Sequence, residues 1–487
     1  MRRRRDARLA GLAAAVAVGV VAEAMAGGSS PSNQVASSAR PGSPRLLPSV
    51  SMPPPKKTDL FVEPSGADTA DGTRGRPLRS LQLAVQRAKP GDTVWVAPGT
   101  YAGFAMGRGG EAGRPVTVAA LRSGVVIQAA GQGVTIDLRE VHDVTLTGLT
   151  IRGPTGQGLA AVLITNSARV RIENSVITGS RGGFGIDLHH SSDSVIRGND
   201  ITRNAVGIRL FGEGRPSAVA NVTIDGNRIH DNDSMVVNDP APNNDFGANA
   251  IIWHKVDGPT VARGNQVWAN RAPSIDYGID GGAFEIWGSS NITISDNVAW
   301  DNVNVVETGT DGPACQRIRF ERNVAYTVQH GVGLILRCAS DSLVAHNTIV
   351  GVAAYAFELS HGASSFGGSI EGLRILNNLV ADTRLLVTHG QLPTTVQVDY
   401  NLIWRPGQAI AQIDGRGETG NLQDLQAWTG LQIHGIAADP RFTDPAQRDY
   451  RLASGSPAID RGTPLPGESD VGAAPDIGRF ELGSPAS

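Results

Sequence analysis

Short stretches in which apolar and polar residues alternate recur through the middle of the chain, and each leads to an asparagine. Residues 170–174 (VRIEN), 195–199 (VIRGN) and 222–227 (VTIDGN) are examples. The same pattern leads to Asn265, Asn297, Asn323, Asn347, Asn378 and Asn401. Alternation with a period of two residues predicts short β-strands with one apolar face. Successive asparagines lie 23 to 38 residues apart, which indicates a coil of about 23 residues that carries insertions of different lengths.

A repeat of this kind predicts a solenoid. A single coil cannot bury its apolar residues alone, whereas stacked coils share one continuous core. Stacking would place equivalent asparagine side chains roughly 4.8 Å apart, where their amides can hydrogen-bond as a ladder. We therefore predict an all-β fold, a parallel β-helix, and give the asparagines a structural role.

The two ends of the repeat predict caps. Residues 78–88 have helical spacing and precede a predicted strand at 93–97, which suits a short helix covering the exposed first coil. Regularity fades after Asn401, and residues 439–478 predict an irregular C-terminal closure. We assign the β-helix domain to residues 58–481, with caps at 58–105 and 430–481 and a tail at 482–487.

The N-terminus predicts export. Residues 2–5 are arginines, residues 9–21 are apolar, and Ala24-Met25-Ala26 offers a small-x-small cleavage site. We therefore assign residues 1–26 to a signal peptide, and the Ser-, Pro- and Gly-rich residues 27–57 to a disordered linker. An uncleaved anchor is the alternative. Either way we expect a secreted or cell-envelope protein.

Composition narrows the classes of possible binding partner. A formal net charge of −3 gives no global basic field and excludes non-specific nucleic-acid binding. Glycine is abundant, at 60 of 487 residues, and aromatic residues make up 5%, a mixture typical of many short strands and turns. The two cysteines, Cys315 and Cys338, predict one disulfide in an oxidising compartment, with two buried thiols as the alternative. We expect a monomer.

Several motifs resemble a known superfamily. Residues 88–94 (AKPGDTV), 98–101 (PGTY) and 456–460 (SPAID), together with the asparagine-marked coils, resemble bacterial right-handed β-helix proteins of the pectate-lyase-like superfamily. The resemblance covers roughly residues 60–481. It implies a right-handed solenoid and a carbohydrate substrate. It leaves the reaction open, since the superfamily includes lyases, hydrolases, epimerases and proteins without known chemistry.

Counting back from each asparagine predicts which residues face outward on one sheet. Twelve residues before Asn199, Asn265 and Asn297 lie Asp187, Trp253 and Glu285. With period-2 alternation, His254 would point inward. We predict an outward carbohydrate-binding face with two exposed tryptophans, formed by Asp187, His189, Arg209, Trp253, Trp287, Arg337 and Glu358.

Four acidic residues mark the centre of that face. Glu285 and Glu307 fall on consecutive coils, roughly 5 Å apart, and Asp276 and Asp280 lie in the loop that leads to Glu285. Two carboxylates this close repel each other unless a proton or cation is shared. Oxygen ligands of this kind suit Ca²⁺, so we predict a calcium site formed by Asp276, Asp280, Glu285 and Glu307.

Three functions fit this face. The first is a polysaccharide lyase or related uronate-modifying enzyme, in which Ca²⁺ or an arginine neutralises the uronate. The resemblance implies a lysine or arginine base, for which we choose Lys255, and Tyr277 could donate a proton. The second is a glycoside hydrolase that pairs Glu285 with Glu307, or Asp280 with either. The third is a glycan-binding surface protein without catalysis.

Overall fold

The computed structural model describes residues 54–483, apart from positions 130, 132, 214, 216, 329–330, 363–365 and 468–471. The predicted signal peptide, most of the predicted linker and most of the predicted tail lie outside these residues. In the described part, the chain winds into a solenoid with three sheets of 13 strands each. Each coil adds one strand to sheet 1, then one to sheet 2, then one to sheet 3. The predicted parallel β-helix is confirmed.

The strands are numbered in chain order. Sheet 1 contains β1 (Leu60–Val62), β2 (Thr93–Val96), β5 (Val116–Ala120), β8 (His142–Thr147), β11 (Ala168–Glu173), β14 (Val195–Arg197), β17 (Val222–Asp225), β22 (Thr260–Arg263), β27 (Ile292–Ser295), β30 (Ile318–Glu321), β33 (Leu343–Ala345), β36 (Arg374–Leu376) and β39 (Gln397–Asp399). Sheet 2 contains β3 (Gly99–Ala102), β6 (Val125–Gln128), β9 (Thr150–Arg152), β12 (Val176–Thr178), β15 (Asp200–Thr202), β18 (Arg228–His230), β23 (Gln266–Trp268), β28 (Val298–Trp300), β31 (Val324–Val328), β34 (Thr348–Val352), β37 (Leu379–Ala381), β40 (Leu402–Trp404) and β43 (Ile436–Ala437). Sheet 3 contains β4 (Phe104–Met106), β7 (Ile136–Arg139), β10 (Ala160–Thr165), β13 (Phe184–His189), β16 (Val206–Phe211), β21 (Asn249–His254), β26 (Gly282–Trp287), β29 (Asn304–Gly309), β32 (Leu334–Leu336), β35 (Tyr355–Ser360), β38 (Arg384–His389), β41 (Ala411–Ile413) and β42 (Gly417–Thr419).

Insertions between coils add three small hairpins and the helical elements. The hairpins are β19 (Met235–Val237) with β20 (Phe246–Gly247), β24 (Ala272–Ser274) with β25 (Gly278–Asp280), and β44 (Phe442–Asp444) with β45 (Asp449–Leu452). The helices are α1 (Leu81–Arg87), α2 (Leu422–Thr429) and a short 3₁₀ turn (Pro445–Gln447). None of the helices in the described ranges has the length and apolar character needed to cross a membrane.

The inner faces of the three sheets enclose one apolar core. The residues predicted to point inward lie in it, at 3% exposure or less: Ile186, Leu188, Ile208, Phe284, Ile286, Val306 and Leu336. Each fully buried side chain of this size contributes roughly 1.5–3 kcal/mol of transfer free energy. The alternation of apolar and polar residues therefore identified these core residues correctly.

The asparagine ladder is present at the corner between sheets 1 and 2. Each side-chain amide donates to the side-chain oxygen of the next coil at 2.8–3.1 Å, through Asn199, Asn227, Asn265, Asn297, Asn323, Asn347, Asn378 and Asn401. Asn174 is not part of the ladder, because Ser175 takes its position and donates its backbone N–H to Asn199. Gly198, which precedes the first ladder asparagine, adopts φ +62°, a left-handed conformation that glycine takes without steric cost.

A second ladder, which the sequence reading missed, stands at the corner between sheets 2 and 3. Asn204, Asn232, Asn270 and Asn302 are linked by side-chain hydrogen bonds of 2.8–3.2 Å. These asparagines lie exactly five residues after the first ladder's members in their coils. Both ladders occupy turns between sheets, where amide side chains replace the backbone hydrogen bonds that a turn cannot make.

The caps differ from the prediction in extent. Helix α1 is shorter than predicted and buries Leu81, Ala84 and Val85 against the first coils. At the other end, α2 buries Leu425 in the main core beside β42. Most of the chain after α2 packs along the outer face of sheet 2, where Tyr450 joins a separate apolar cluster. The solenoid end is therefore closed by a helix that the sequence reading did not predict.

The ladder predicts a specific stability loss for Asn297→Ala. The Asn297 oxygen accepts the backbone and side-chain N–H groups of Asn265, both at 2.9 Å, and its amide donates to Asn323 at 3.0 Å. Removing it leaves buried groups without partners, at about 1–3 kcal/mol each. We expect a loss of about 3 kcal/mol in the free energy of unfolding, measured by urea denaturation. Gln397→Ala, which removes an exposed amide, is the control; equal losses in both variants would contradict the prediction.

Candidate active site

Charged residues form one column on the outer face of sheet 3. Partner residues in successive strands are Asp187 with Arg209, Arg209 with Ile252, Ile252 with Glu285, Glu285 with Glu307, Glu307 with Ile335, and Ile335 with Glu358. The predicted register is therefore confirmed for five of these positions: Asp187, Arg209, Glu285, Glu307 and Glu358. Their functional roles stay predictions.

The prediction for Trp253 is wrong. Trp253 pairs with the inward Ile286, is fully buried in the core, and donates its indole N–H to Thr260 Oγ1 at 2.8 Å. The turn between β21 and β22 is one residue longer than the turn between β26 and β27, so counting back from the ladder gave the wrong residue. A shift of one residue moves a side chain to the opposite face of a sheet. Ile252 takes the outward place, and His254, predicted inward, faces outward.

Trp287 does face outward, but it is not an exposed platform. It pairs with His254 and is only 3% exposed. Phe366 packs on it with ring centroids 5.4 Å apart, and its indole N–H donates to Asp311 at 3.2 Å. Burial lowers the pKa of the neighbouring His254 to about 4, so this imidazole is neutral at pH 7. The expectation of two exposed tryptophans is therefore wrong.

Lys255 lies at the edge of this face, one residue beyond β21. Its backbone is left-handed, with φ 54°, and its ammonium group is 3.0 Å from Asp311 Oδ2. The two side chains are 26% and 23% exposed. Because Asp311 also accepts from Trp287, the ion pair is held beside the indole. Lys255 thus places an ammonium group, paired with Asp311, at the edge of the face.

The centre of the face is a cluster of three carboxyl groups. Asp280, at the end of the β24–β25 hairpin, lines a pocket of about 10 Å³ together with Glu285 and Glu307. Asn249 donates to Glu285 at 2.5 Å, and Asn304 donates to Glu307 at 3.4 Å. A space of this size holds about one water molecule, so a larger ligand would meet the carboxyl groups at the mouth of the pocket.

The electrostatics of the cluster favour bound protons. Burial, and the nearby charge of Glu307, raise the pKa of Asp280 from 3.8 to about 7. Burial also raises the pKa of Glu285 well above its ordinary value, and Glu307 and Asp280 add to the shift. For Glu307, burial raises the pKa, while the charge of Arg337 opposes the shift. Of the two glutamates, Glu307 is therefore the one with a compensating cation.

Arg337 connects this cluster to Glu358. Its guanidinium is 3.7 Å from Glu307 and 3.2 Å from Glu358, and its side chain is 7% exposed. Tyr355 donates its hydroxyl to Glu358 at 3.2 Å. In the column, the apolar Ile335 lies between Glu307 and Glu358. Arg337 contacts both of these acidic residues, although they are two strands apart.

Asp187, His189 and Arg209 form a separate network. Arg209 makes two hydrogen bonds of 2.8 Å to Asp187, and His189 Nε2 is 2.9 Å from the same carboxylate. The guanidinium lies 3.7 Å from the centre of the Phe184 ring. Burial would raise the pKa of Asp187, but Arg209 and His189 lower it to about 2. Because Asp187 and Arg209 are both buried, removal of either one alone would leave the other as an uncompensated buried charge. The role of this network in substrate binding stays a prediction.

Asp276 and Tyr277 lie at the tip of the β24–β25 hairpin. Asp276 accepts backbone N–H groups from Asn244 at 2.9 Å and Asp245 at 3.2 Å, and therefore ties this hairpin to the preceding insertion. The backbone N–H of Tyr277 donates to Ser274 at 3.0 Å. In the described part of the chain, no group of three or more His, Cys, Asp or Glu residues is arranged to hold a metal ion. Of the four predicted calcium ligands, Asp280, Glu285 and Glu307 line one pocket, and the calcium site stays a prediction.

The predicted disulfide is present. Cys315 and Cys338 are bonded, with their Cα atoms 5.1 Å apart. Cys315 lies in the insertion after β29, and Cys338 directly follows Arg337. The bond therefore fastens the loop that carries Asp311 to the coil that carries Arg337, both next to the carboxyl cluster.

Sequence reasoning missed the amide partners of the cluster. Asn304 lies three residues before Glu307, and Asn249 lies three residues before the outward Ile252 of the adjacent strand. Strict two-residue alternation would have placed both on the opposite face, so the pattern alone could not have found them. Asp245 also lines the pocket, but it comes from an insertion without periodicity, so the sequence carries no signal for it.

Comparison with known proteins identifies the fold. A family model described as "Right handed beta helix region" matches residues 120–299, and one described as "Protein of unknown function (DUF1565)" matches residues 64–108. The crystal structure of pectate lyase Pel9A superposes with a TM-score of 0.50 and 16% identity, covering 87% of this chain and 99% of that one. The chain therefore has a right-handed parallel β-helix fold, as that structure does. A mannuronic acid specific polysaccharide family 6 lyase from human gut microbiota has the same fold, with a TM-score of 0.54, 14% identity, and coverage of 73% of this chain and 87% of that one.

Two curated proteins match in sequence over parts of their length. Pectate lyase PEL9 of Emericella nidulans is 26% identical over 268 residues, which are 50% of this chain and 57% of that protein. The uncharacterized protein YwoF of Bacillus subtilis is 31% identical over 102 residues, 19% of this chain and 22% of that protein. The matched region thus spans just over half of the pectate lyase. The match shows that the two proteins are related over this region. It does not show that they share an activity.

The cluster predicts a pH-dependent gain in stability for Asp280→Asn. The pKa of Asp280 is about 7 in the folded chain and 3.8 ordinarily. The unfolded chain therefore loses this proton at lower pH than the folded one, and stability falls as pH rises from about 4 to about 7. We expect the melting temperature of Asp280→Asn to rise relative to the unsubstituted chain across this range and to level off above it. Asp257→Asn, at an exposed carboxylate, is the control; a difference that shrinks with rising pH would refute the prediction.

Proposed function

We propose that the chain is a polysaccharide lyase that cleaves a uronate-containing polysaccharide at the outer face of sheet 3. The observation that carries the proposal is the cluster of Asp280, Glu285 and Glu307 at one pocket, with a single arginine beside Glu307. Strongly shifted carboxyl pKa values at one place are typical of reaction centres. The sequence match to a pectate lyase favours elimination on a uronate.

The roles follow from the different environments of the two glutamates. Glu307, next to Arg337, is the group that accepts the C5 proton. The electron pair of the broken C–H bond then forms the C4–C5 double bond, and the C4–O bond breaks. Glu285, whose pKa is raised by burial and two carboxyl neighbours, donates a proton to the leaving oxygen. When the environments of two titratable groups push their pKa values apart, one group can act as the acid and the other as the base.

Lys255 takes a different role from the predicted base. Its ammonium group is partly exposed, 3.0 Å from Asp311, a position that suits binding of a uronate carboxylate at the edge of the face. Tyr277 remains a predicted proton donor at the hairpin tip. The predicted export signal agrees with a substrate outside the cytoplasm. The predicted calcium ion carries no step in this scheme and stays a prediction.

A retaining glycoside hydrolase is the second candidate. Glu285 and Glu307 are direct partners on adjacent strands, and strand spacing sets them roughly 5 Å apart, as in retaining enzymes. The pocket between them also has room for about one water molecule. Hydrolysis consumes a water molecule, whereas elimination does not, so this feature favours the second candidate specifically.

Activity measurements on Glu285→Gln and Glu307→Gln test the proposal. Each change keeps the shape of the side chain and removes one acid–base group, so we expect at least about 100-fold lower activity in each. Polygalacturonate and alginate are the substrates, and the readout is the ultraviolet absorbance of the unsaturated product. Glu321→Gln, at a buried carboxylate paired with Arg319 on sheet 1, is the matched control and should retain activity.

The products separate the alternatives. New reducing ends without unsaturated product would replace elimination with hydrolysis. Unchanged binding of the polymer, with no cleavage by the unsubstituted chain, would leave a glycan-binding protein. Adding a chelator, and then Ca²⁺, measures whether the predicted calcium ion contributes.

A further inference from the structure

A second cleft lies at the C-terminal end of the solenoid, away from the carboxyl cluster. It encloses about 770 Å³, compared with about 10 Å³ at the carboxyl pocket. Three segments form its walls: the loop 390–396 after β38, the turn 413–416 between β41 and β42, and the residues at the end of α2. Volumes of roughly 300–1,000 Å³ are typical of small-molecule sites, so the cleft can hold one or two sugar rings.

An indole forms part of the apolar wall. Trp428 lies in the last turn of α2, is half-buried, and packs partly against the main core. The helix is firmly placed, because Leu425 is fully buried and Gly430 ends it with a left-handed φ of 70°. Leu392 and Leu431 line the cleft beside the indole. The wall is therefore a rigid apolar surface of the kind on which the C–H face of a pyranose ring packs.

The rim of the cleft supplies hydrogen-bonding groups. Gln391, Thr394, Asp414 and Arg416 line it and are exposed. The turn is fixed relative to the loop, because Gly390 donates its backbone N–H to Asp414 at 2.8 Å. Amide, hydroxyl, carboxylate and guanidinium groups around an apolar wall match a ring that has hydroxyl groups at its edge and C–H groups on its face.

The cleft lies next to a strand that continues the column of the candidate active site. Val387 of β38 pairs with Glu358, and the next residue, Thr388, lines the cleft. Three strand spacings, roughly 14 Å, separate Glu307 from Val387 along the solenoid axis. A polymer that lies along this face and touches the carboxyl cluster would therefore reach the cleft within a few sugar rings.

We propose that this cleft is a second carbohydrate site, which binds a pyranose unit of the same polysaccharide chain at a distance from the bond that is cleaved. The inference rests on the proposed function for the identity of the polymer. It does not rest on the reaction, since binding at the cleft needs neither of the two glutamates. Its consequence is that long chains bind more tightly than fragments that reach only the carboxyl cluster.

Binding measurements on the full chain test the proposal. Polygalacturonate, alginate and a neutral glucan are titrated calorimetrically into the Glu285→Gln chain, with and without Trp428→Ala. Loss of the indole should weaken polymer binding about tenfold, which corresponds to about 1.4 kcal/mol, and leave short oligosaccharides unaffected. The rim pair, a double variant with Gln391→Ala and Thr394→Ala at exposed positions, should also weaken polymer binding and should not disturb the fold. Trp404→Ala, at a half-buried indole on sheet 2, is the matched control and should leave polymer binding unchanged.

The outcomes distinguish this inference from the proposed function. If neither Trp428→Ala nor the rim pair changes the affinity for the polymer, the proposal of a second carbohydrate site is overturned, even if the chain is an active lyase. Absence of binding to all three polymers also overturns it. Affinity that depends on Trp428, together with a chain that forms no product when Glu285 is unsubstituted, supports the second carbohydrate site and refutes the proposed activity. If Trp428→Ala fails to fold, the rim pair decides alone.

Discussion

Parallel strands of successive coils hydrogen-bond at a spacing of about 4.8 Å, and this spacing determines which side chains meet along the whole molecule. It stacks the two asparagine ladders at 2.8–3.2 Å. It also stacks Trp268 on Trp300 on sheet 2, with ring centroids 4.7 Å apart and planes 5° apart. Equivalent positions cannot move apart without breaking backbone hydrogen bonds. Whatever the sequence places at one outward position is therefore forced against its neighbours above and below.

This constraint has opposite results at two points of the same sheet. Asp187 and Arg209 are partners of opposite charge, and their forced contact gives a buried, satisfied ion pair. Glu285 and Glu307 are partners of like charge; burial raises the pKa of Glu285, and the contact with Glu307 raises it further. A hydrophobic or oppositely charged residue at either position would remove the repulsion. A fold that retains both carboxyl groups carries a cost in stability, which is typical of a reaction centre and not of a scaffold.

The sequence predicted most of the features that repeat, although not the second ladder, and it missed those that do not repeat. The core residues, the first ladder and the outward carboxylates follow from the two-residue alternation and the coil length, so they could be counted. Trp253 was misplaced because one turn contains one extra residue. Trp287 was wrongly predicted to be exposed because Phe366, from an insertion without periodicity, covers it. Helix α2 and the contact between Asp276 and Asp245 were missed for the same reason, since insertions take their structure from the surface on which they pack.

The insertions therefore decide what the regular face can do. The sheet supplies carboxyl groups at a fixed spacing, but Asp280 reaches them from a hairpin, and Asp311 holds Lys255 from a loop. The disulfide fastens that loop to the coil of Arg337, which limits the movement of the charged edge relative to the cluster. The loop 390–396 and α2 shape the distant cleft in the same manner. In a solenoid whose strands cannot shift, selectivity for one polysaccharide over another can arise only in such insertions and in the outward side chains that they leave uncovered.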